Sequence, residues 1–261
     1  MFDKELTTVE LDISWAKSIQ ANEAWGSIFH GMLMESLTPE HASWLHEYSR
    51  RPYSQCLYST RTETGEKQWH WRLSGLTAEA VQVVVKTAYE LPDTIYSTQK
   101  DMKIFITGRR LVAEDSYGEM AQRFLGGSDI FKSVQIFLDT PTGFKNEGNY
   151  AIYPELKLII ANLLRRWNTF STSEQLDDPH IADALLDMLY ISNYRLSMKR
   201  FALERTRIPA FSGWLSIGCK NSLMMQRLMA MLFQYATYSG IGIKTALGMG
   251  GVHIDLKQEV Q

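Results

Sequence analysis

Tyr238-Ser-Gly-Ile-Gly-Ile-Lys-Thr-Ala-Leu-Gly-Met-Gly-Gly-Val252 is the most informative stretch of this 261-residue chain. It contains five glycines and a Lys-Thr pair at positions 244 and 245. Because glycine has no Cβ atom, such a loop can adopt positive φ angles and let another backbone come close. Its free N–H groups and the charge of Lys244 could hold phosphate groups. A turn that packs a helix against a sheet has a similar composition, but the embedded Lys-Thr pair favours phosphate binding.

The residues around the Lys-Thr pair exclude two common nucleotide-binding loops. A Walker loop needs glycine directly before the pair, where this chain has Ile243. A dinucleotide fingerprint needs a third glycine at Thr245 and a helix after it. Here a helical pattern over 222–238 precedes the loop, Gly240 ends it, and a strand pattern over 252–256 follows. A helix C-terminus disfavours an anion, so loop amides and lysine would have to hold an extended polyanion instead.

The composition is that of an ordinary globular protein, with 45% hydrophobic and 21% charged residues. Cys56 and Cys219, both in apolar surroundings, predict buried thiols in a reducing compartment. With no apolar run of about 18 residues and no signal core, we expect a cytoplasmic protein without membrane contact. The net charge of −2 argues against indiscriminate nucleic-acid binding. Basic residues nevertheless cluster locally, at Arg50-Arg51, Arg109-Arg110, Arg165-Arg166, Lys199-Arg200, Arg205 and Arg207.

One order of elements is predicted twice along the chain. The first half reads as a strand over 4–15, a helix over 22–35, strands over 54–60 and 68–75, a helix over 77–90 and a strand over 103–108. The second half repeats this order with strands over 133–139, 195–207, 211–219 and 252–256, helices over 154–167 and 222–238, and an extra helix over 178–190. The pattern predicts an α+β fold of two tandem ferredoxin-like (RRM-like) βαββαβ domains, with the glycine-rich loop before the last strand.

The predicted domains are 1–115 and 131–261, joined by a polar linker over 116–130. Methionines 198, 224, 225, 229 and 231 are interpreted as core filler. Histidines and cysteines lack the spacing of metal ligands, so we expect no metal and no cofactor.

Four stretches carry a family resemblance. They are Gly31-Met-Leu-Met34 with Trp44-Leu-His-Glu47 and Arg50-Arg-Pro-Tyr-Ser54; Thr140-Pro-Thr-Gly-Phe-Lys145 with Tyr153-Pro154 and Leu163-Leu-Arg-Arg-Trp-Asn168; Ile208-Pro-Ala-Phe-Ser-Gly-Trp214; and the glycine-rich stretch itself. Together they resemble the CRISPR-associated endoribonucleases of the RAMP superfamily, which cut repeat RNA out of precursor transcripts. The resemblance implies metal-independent cleavage, in which the 2′-hydroxyl attacks the adjacent phosphate and leaves 2′,3′-cyclic phosphate and 5′-hydroxyl ends. It names CRISPR repeat RNA as the partner and leaves open other effector subunits and the oligomeric state.

His46 matches the catalytic histidine of this family, and an imidazole that titrates near neutrality can act as base or acid. Arg50 and Arg51 are candidates to stabilise the charged transition state; if the helix continues, His46 and Arg50 share one face. Some relatives add a tyrosine on the first helix, near Met34 here, so a third catalytic residue is left open between His30, Tyr48 and none. The candidate RNA-binding residues are Gly240, Gly242, Lys244, Thr245, Gly248, Gly250, Lys145 and Arg207.

Three other functions fit parts of the sequence. A non-catalytic RNA-holding subunit of a CRISPR effector would share the fold and the loop, but it has no use for a histidine beside Arg50. An unrelated nucleotide-binding enzyme lacks its expected loop patterns here. A protein-interaction domain would show no affinity for RNA.

Overall fold

The computed structural model describes residues 2–47, 50–203 and 206–258, and the side chain of His46 also lies outside the described part. The first half contains strands β1 (Leu6–Ser14), β2 (Tyr53–Arg61), β3 (Lys67–Gly75), β4 (Thr94–Ser97) and β5 (Met102–Asp115). Helices α1 (Gly26–Ser36) and α2 (Pro39–Glu47) follow β1, and α3 (Ala78–Ala80), a π-helical turn (Val81–Val85) and α4 (Lys86–Tyr89) follow β3. The strands form an antiparallel sheet in the order β2-β3-β1-β5-β4.

The second half begins after helix α5 (Tyr117–Leu125) and repeats the same topology. Its elements are β6 (Phe131–Thr142), β7 (Phe144–Asn146), β8 (Asn149–Ala151), α6 (Leu156–Phe170), α7 (Ile181–Met188), β9 (Leu189–Leu203), β10 (Thr206–Cys219), α8 (Leu223–Ser239) and β11 (Val252–Gln258). Its main sheet has the order β11-β6-β10-β9, and β7 and β8 form a separate hairpin. In the first sheet β1 lies between β3 and β5, and in the second sheet β6 lies in the same way between β10 and β11. The predicted tandem ferredoxin-like fold is therefore confirmed.

Local sequence signals explain where several helices begin. Thr77 is the N-cap of α3, because its hydroxyl accepts a hydrogen bond of 3.1 Å from the backbone N–H of Ala80. Ser116 caps α5 in the same way through Glu119, at 3.2 Å. Ile28, Phe29, Met32 and Leu33 form one apolar face of α1 and are buried. Both cysteines are free and buried, as expected.

Other details of the sequence interpretation need correction. The predicted linker over 116–130 contains helix α5, whose Tyr117, Met120 and Phe124 are buried in the core of the second half. Met198 and Met224 are exposed and do not fill the core. Strands β4, β7 and β8 were not predicted, because each is only three or four residues long. None of the helices within the described ranges has the length and apolarity that a membrane crossing requires.

A buried charge network joins the two halves. Arg72 on β3 donates to Glu10 of β1 at 3.1 Å and, across the interface, to Asp139 of β6 at 2.9 Å. Its guanidinium also reaches the carbonyl oxygen of Val252 at 3.3 Å. Burial alone would raise the pKa of Glu10, but a hydrogen bond from Tyr58 and the charges of Arg72 and Arg110 hold that pKa below its usual value. Glu10 is therefore ionised, and Arg72 pairs with both Glu10 and Asp139.

We expect Arg72→Met to lower the free energy of unfolding by about 3–5 kcal/mol, because it removes the shared partner of two buried carboxylates. Lys257→Met is the matched control. It removes an exposed ion pair with Asp255, and such pairs contribute at most about 1 kcal/mol. Urea denaturation of both variants measures the difference. Equal losses in the two variants would contradict a structural role for the network.

Candidate functional site

The glycine-rich loop is tied to both halves by backbone contacts. Asn162 on α6 clamps Gly242 from two sides: its Oδ1 accepts from the Gly242 N–H at 2.9 Å, and its Nδ2 donates to the Gly242 carbonyl at 3.3 Å. The N–H of Ile243 donates to the carbonyl of Gly143 at 3.0 Å.

From the first half, Gln55 on β2 donates through Nε2 to the carbonyls of Gly26 and Ala246, at 2.7 and 3.1 Å. Trp71 of β3 in turn donates to the Oε1 of Gln55 at 2.9 Å, which fixes the orientation of the amide. The loop is thus a rigid junction between the two halves.

Close backbone approach explains why glycine is required at two positions of this junction. Gly242 has a φ of 92°, and a Cβ atom placed on it would lie 2.4 Å from the carbonyl oxygen of Gly143. Gly248 has a φ of 101°, and its Cβ atom would lie 2.7 Å from the Cα atom of Gly26. Both glycines face protein backbone. Their absent side chains therefore permit packing of the loop against both halves.

A cavity of about 400 Å³ lies beside this junction. Its walls are formed by Arg50, Arg51, Asn162, Arg165, Arg166 and residues 242–247 of the loop. Five of the residues that line it are cationic, and none of the described lining residues carries a carboxylate. Lys244 is exposed and adopts a left-handed backbone conformation, with a φ of 57°. An anion is the ligand that such a cavity would bind.

Two of the arginines have hydrogen-bond donors that nothing in the described structure satisfies. Nη1 of Arg51 is buried without a partner, as are Nε and Nη2 of Arg166. Burial lowers the pKa of Arg166, and the nearby charge of Arg50 lowers it further, whereas the phenols of Tyr235 and Tyr117 oppose that shift. The protein thus holds like charges together without neutralising them.

Only some of the catalytic and RNA-binding residues predicted from the sequence line this cavity. Arg50, Arg51, Gly242, Lys244 and Thr245 line it.

The other candidates lie elsewhere. Gly240, Gly248 and Gly250 are buried against neighbouring backbone, Lys145 on β7 points its ammonium toward the ring of Tyr150, and Arg207 is exposed on β10. A direct contact of these five residues with RNA stays a prediction. Asn162, Arg165 and Arg166 were not predicted as site residues, although their i, i+3, i+4 spacing is the signal of a shared helix face.

His46, the proposed catalytic residue, belongs to α2 and precedes Arg50 of the cavity wall in the sequence. Arg50 follows His46 by four residues, so their Cα atoms are at most about 14 Å apart. The condition for a shared helix face of His46 and Arg50 is not met, because Arg50 is not helical. His30 on α1 bonds the hydroxyl of Tyr53 through Nδ1 at 3.0 Å, and the two rings stack. Tyr48 lies outside the described residues.

Among the described residues, one group has the composition of a metal site. Ligand atoms of Glu10, Asp12 and His70 lie within 4.8 Å of one another. Arg110 donates to Asp12 at 2.9 Å, and Nδ1 of His70 lies 2.8 Å from the same carboxylate. Because Arg72 and Arg110 already neutralise this group, its chemistry is that of an ion-pair network. The absence of a metal and of a cofactor stays a prediction.

We expect Gly242→Ala to lower the free energy of unfolding by about 2–4 kcal/mol, because it adds both backbone strain and a clash with Gly143. Gly148→Ala is the matched control. Gly148 also has a positive φ, of 86°, but a Cβ atom placed on it meets nothing within 4 Å. Strain alone should cost about 1–2 kcal/mol there. Thermal unfolding compares the two, and equal destabilisation would rule out a requirement for close approach at Gly242.

Comparisons with known proteins agree with this fold. A family model described as CRISPR-associated endoribonuclease Cas6 matches residues 136–252. A CRISPR-associated endoribonuclease Cas6 of Streptococcus thermophilus is 26% identical over 231 residues, which cover 88% of this chain and 91% of that protein. One from Mycobacterium tuberculosis is 28% identical over 236 residues, which cover 88% of this chain and 71% of that protein.

Solved structures show the same architecture. A Cas6 product complex superposes with a TM-score of 0.74 at 22% identity, over 96% of this chain and all of that chain (100%). A Thermus thermophilus Cas6 superposes with a TM-score of 0.70 at 20% identity, over 97% and 99% of the two chains. At these identities the superpositions establish the fold. The resemblance predicted from the sequence is confirmed, since the chain is similar over nearly its whole length to the CRISPR-associated endoribonucleases called Cas6.

Proposed function

We propose that this chain is a metal-independent endoribonuclease that cuts CRISPR repeat RNA and releases guide RNAs. The cavity of five cations carries the proposal. Its positive charge suits an anion, and two residues of its wall, Arg50 and Arg51, follow the helix of His46 in the sequence. The chain is also similar to Cas6 endoribonucleases. A relative's structure is described as a substrate mimic complex, which supports RNA as the anion. No cofactor is needed for the reaction that follows.

The proposed reaction is a transesterification at one phosphorus atom of the RNA backbone. The 2′-oxygen forms a bond to the adjacent phosphorus and loses its proton, while the bond from phosphorus to the 5′-oxygen breaks and that oxygen gains a proton. The products are a 2′,3′-cyclic phosphate and a 5′-hydroxyl. His46 carries one of the two proton transfers. The other transfer is carried by His30, by Tyr48 or by no further side chain, in which case water carries it.

Arginine charge supplies the second part of the mechanism. Negative charge accumulates on the phosphorus oxygens in the transition state, and preorganised donors stabilise it best. Arg51 suits this role, because its buried Nη1 has no partner within the described structure. Arg50 and Lys244 add charge at the same cavity. Thr245 and the amides of the loop would hold the neighbouring backbone of the RNA.

Cleavage of the cognate repeat RNA in EDTA tests this function. We expect wild-type protein to cut the RNA, and His46→Ala to cut it about 10²–10⁴-fold more slowly, because a positioned proton-transfer group contributes that much. RNA with a single 2′-deoxyribose at the cleavage point should stay intact, because it lacks the nucleophile. Mass spectrometry of the products identifies the cyclic phosphate.

Three results would refute the proposal in different ways. Cutting of the deoxy substrate would exclude attack by the 2′-hydroxyl. Full activity of His46→Ala would exclude this histidine as the proton-transfer group. Tight RNA binding without any cutting would favour the non-catalytic RNA-holding subunit instead.

The role of Lys244 can be tested through the salt dependence of binding. We expect Lys244→Asn to make the negative slope of log affinity against log salt concentration shallower by about 1, because one phosphate contact is lost. Asparagine tolerates the left-handed backbone conformation of this position, so the loop should keep its shape. Lys257→Asn, at the far end of β11, is the control and should leave the slope unchanged. An unchanged slope for Lys244→Asn would place this lysine outside the RNA contact.

A further inference from the structure

The wall that α6 contributes to the cavity has features that cleavage alone does not require. Asn162, Arg165 and Arg166 lie at i, i+3 and i+4, so they share one face of the helix. Asn162 fixes that face to the loop through its two hydrogen bonds with Gly242. Arg165 is exposed and Arg166 is buried, and both line the cavity. The segment of α6 that carries both arginines is therefore tied to the loop that carries Lys244.

Arg166 is a buried cation for which the described structure provides no anion. Only 7% of the residue is exposed, and two of its nitrogens, Nε and Nη2, have no hydrogen-bond partner. Its near neighbours are the phenols of Tyr235 and Tyr117, which burial keeps neutral by raising their pKa, so neither supplies a negative charge. A buried unpaired guanidinium is strongly unfavourable unless a ligand completes it. A phosphate suits such a site, because its several acceptor oxygens can take two parallel hydrogen bonds from one guanidinium.

The unpaired donors around the cavity come from both halves of the chain. Arg50 and Arg51 come from the first half of the chain, whereas Arg165 and Arg166 come from α6 in the second half. Unpaired N–H groups exist in both sets, on Arg51 and on Arg166. A cavity of about 400 Å³ falls in the size range of small-molecule sites and accommodates more than a lone phosphate.

We propose that α6 forms a second phosphate subsite, in which Arg166 and Arg165 bind an RNA phosphate within two nucleotides of the scissile one. This inference rests on the proposed function, because it assumes that RNA occupies the cavity. The subsite would hold the strand on both sides of the reacting bond. It would thereby position the 2′-hydroxyl for attack, since two fixed phosphates restrict rotation of the nucleotide between them.

Neutral methylphosphonate linkages test the subsite without any catalysis. An RNA with 2′-deoxyribose at the cleavage point serves as the uncleavable parent, and one linkage at a time is made neutral within two nucleotides on either side of that point. For wild-type protein, we expect affinity to fall about tenfold at the scissile linkage and about tenfold at one further linkage. A charged hydrogen bond contributes enough for a change of that size.

Arg166→Gln should weaken binding of the fully charged RNA about tenfold and abolish the effect of the neutral linkage at the second position only. Arg61→Gln, an exposed arginine that bonds Gly65 in the β2–β3 turn, is the control and should keep both effects. Since Arg166→Gln removes a buried unpaired charge, it should unfold at the same temperature as wild-type protein or higher. Arg166→Lys, which keeps the charge without the fork, should restore part of the affinity.

Sensitivity of wild-type protein at the scissile linkage alone would overturn the subsite and leave the proposed function intact. A position-specific effect that survives in Arg166→Gln would also overturn the assignment to this residue. If Arg166→Gln fails to fold, Arg165→Gln tests the same subsite from an exposed position of α6, and it should reduce the effect of the neutral linkage at the second position. Absence of any RNA binding would instead remove the proposed function itself.

Discussion

Close contact between the glycine-rich loop and the backbones of both halves is the constraint on which the site depends. Gly248 packs on Gly26 from the first half, and Gly242 packs on Gly143 from the second. No other residue type allows these separations, because a Cβ atom would overlap backbone at each of them. The contact brings the segment after α2 and the face of α6 to the same side of the loop. The cavity is the space that remains between them.

The molecule uses charge in opposite ways at its two contacts between halves. Around Arg72, two buried carboxylates neutralise the guanidinium, so the charges stabilise the assembled domains. Around Arg166, cations gather without any described carboxylate, so the charges are left available to a ligand. This contrast explains how a chain with a net charge of −2 can present a strongly positive cavity. The positive potential is local to this cavity, and salt screens its buried part less than its exposed part.

Much of the fold follows from short-range patterns in the sequence. Strand β1 and helix α1 were predicted correctly, because the packing of each element depends on the periodicity of its own residues. Helix α5 was missed although Tyr117, Met120 and Phe124 have helical spacing. Glycines at 118, 126 and 127 surround that stripe and give it the composition of a linker.

The same limit of short-range patterns applies to the candidate site. Residues in one stretch, such as Lys244 and Thr245, could be identified from the sequence because their types and order carry the phosphate-binding signal. That Arg165 and Arg166 join Arg50 and Arg51 could not, since more than a hundred residues separate the two pairs and spacing holds no information over that distance. Burial was equally hidden: a glycine that faces RNA and one that faces backbone look alike in sequence, and only packing between the two halves distinguishes them.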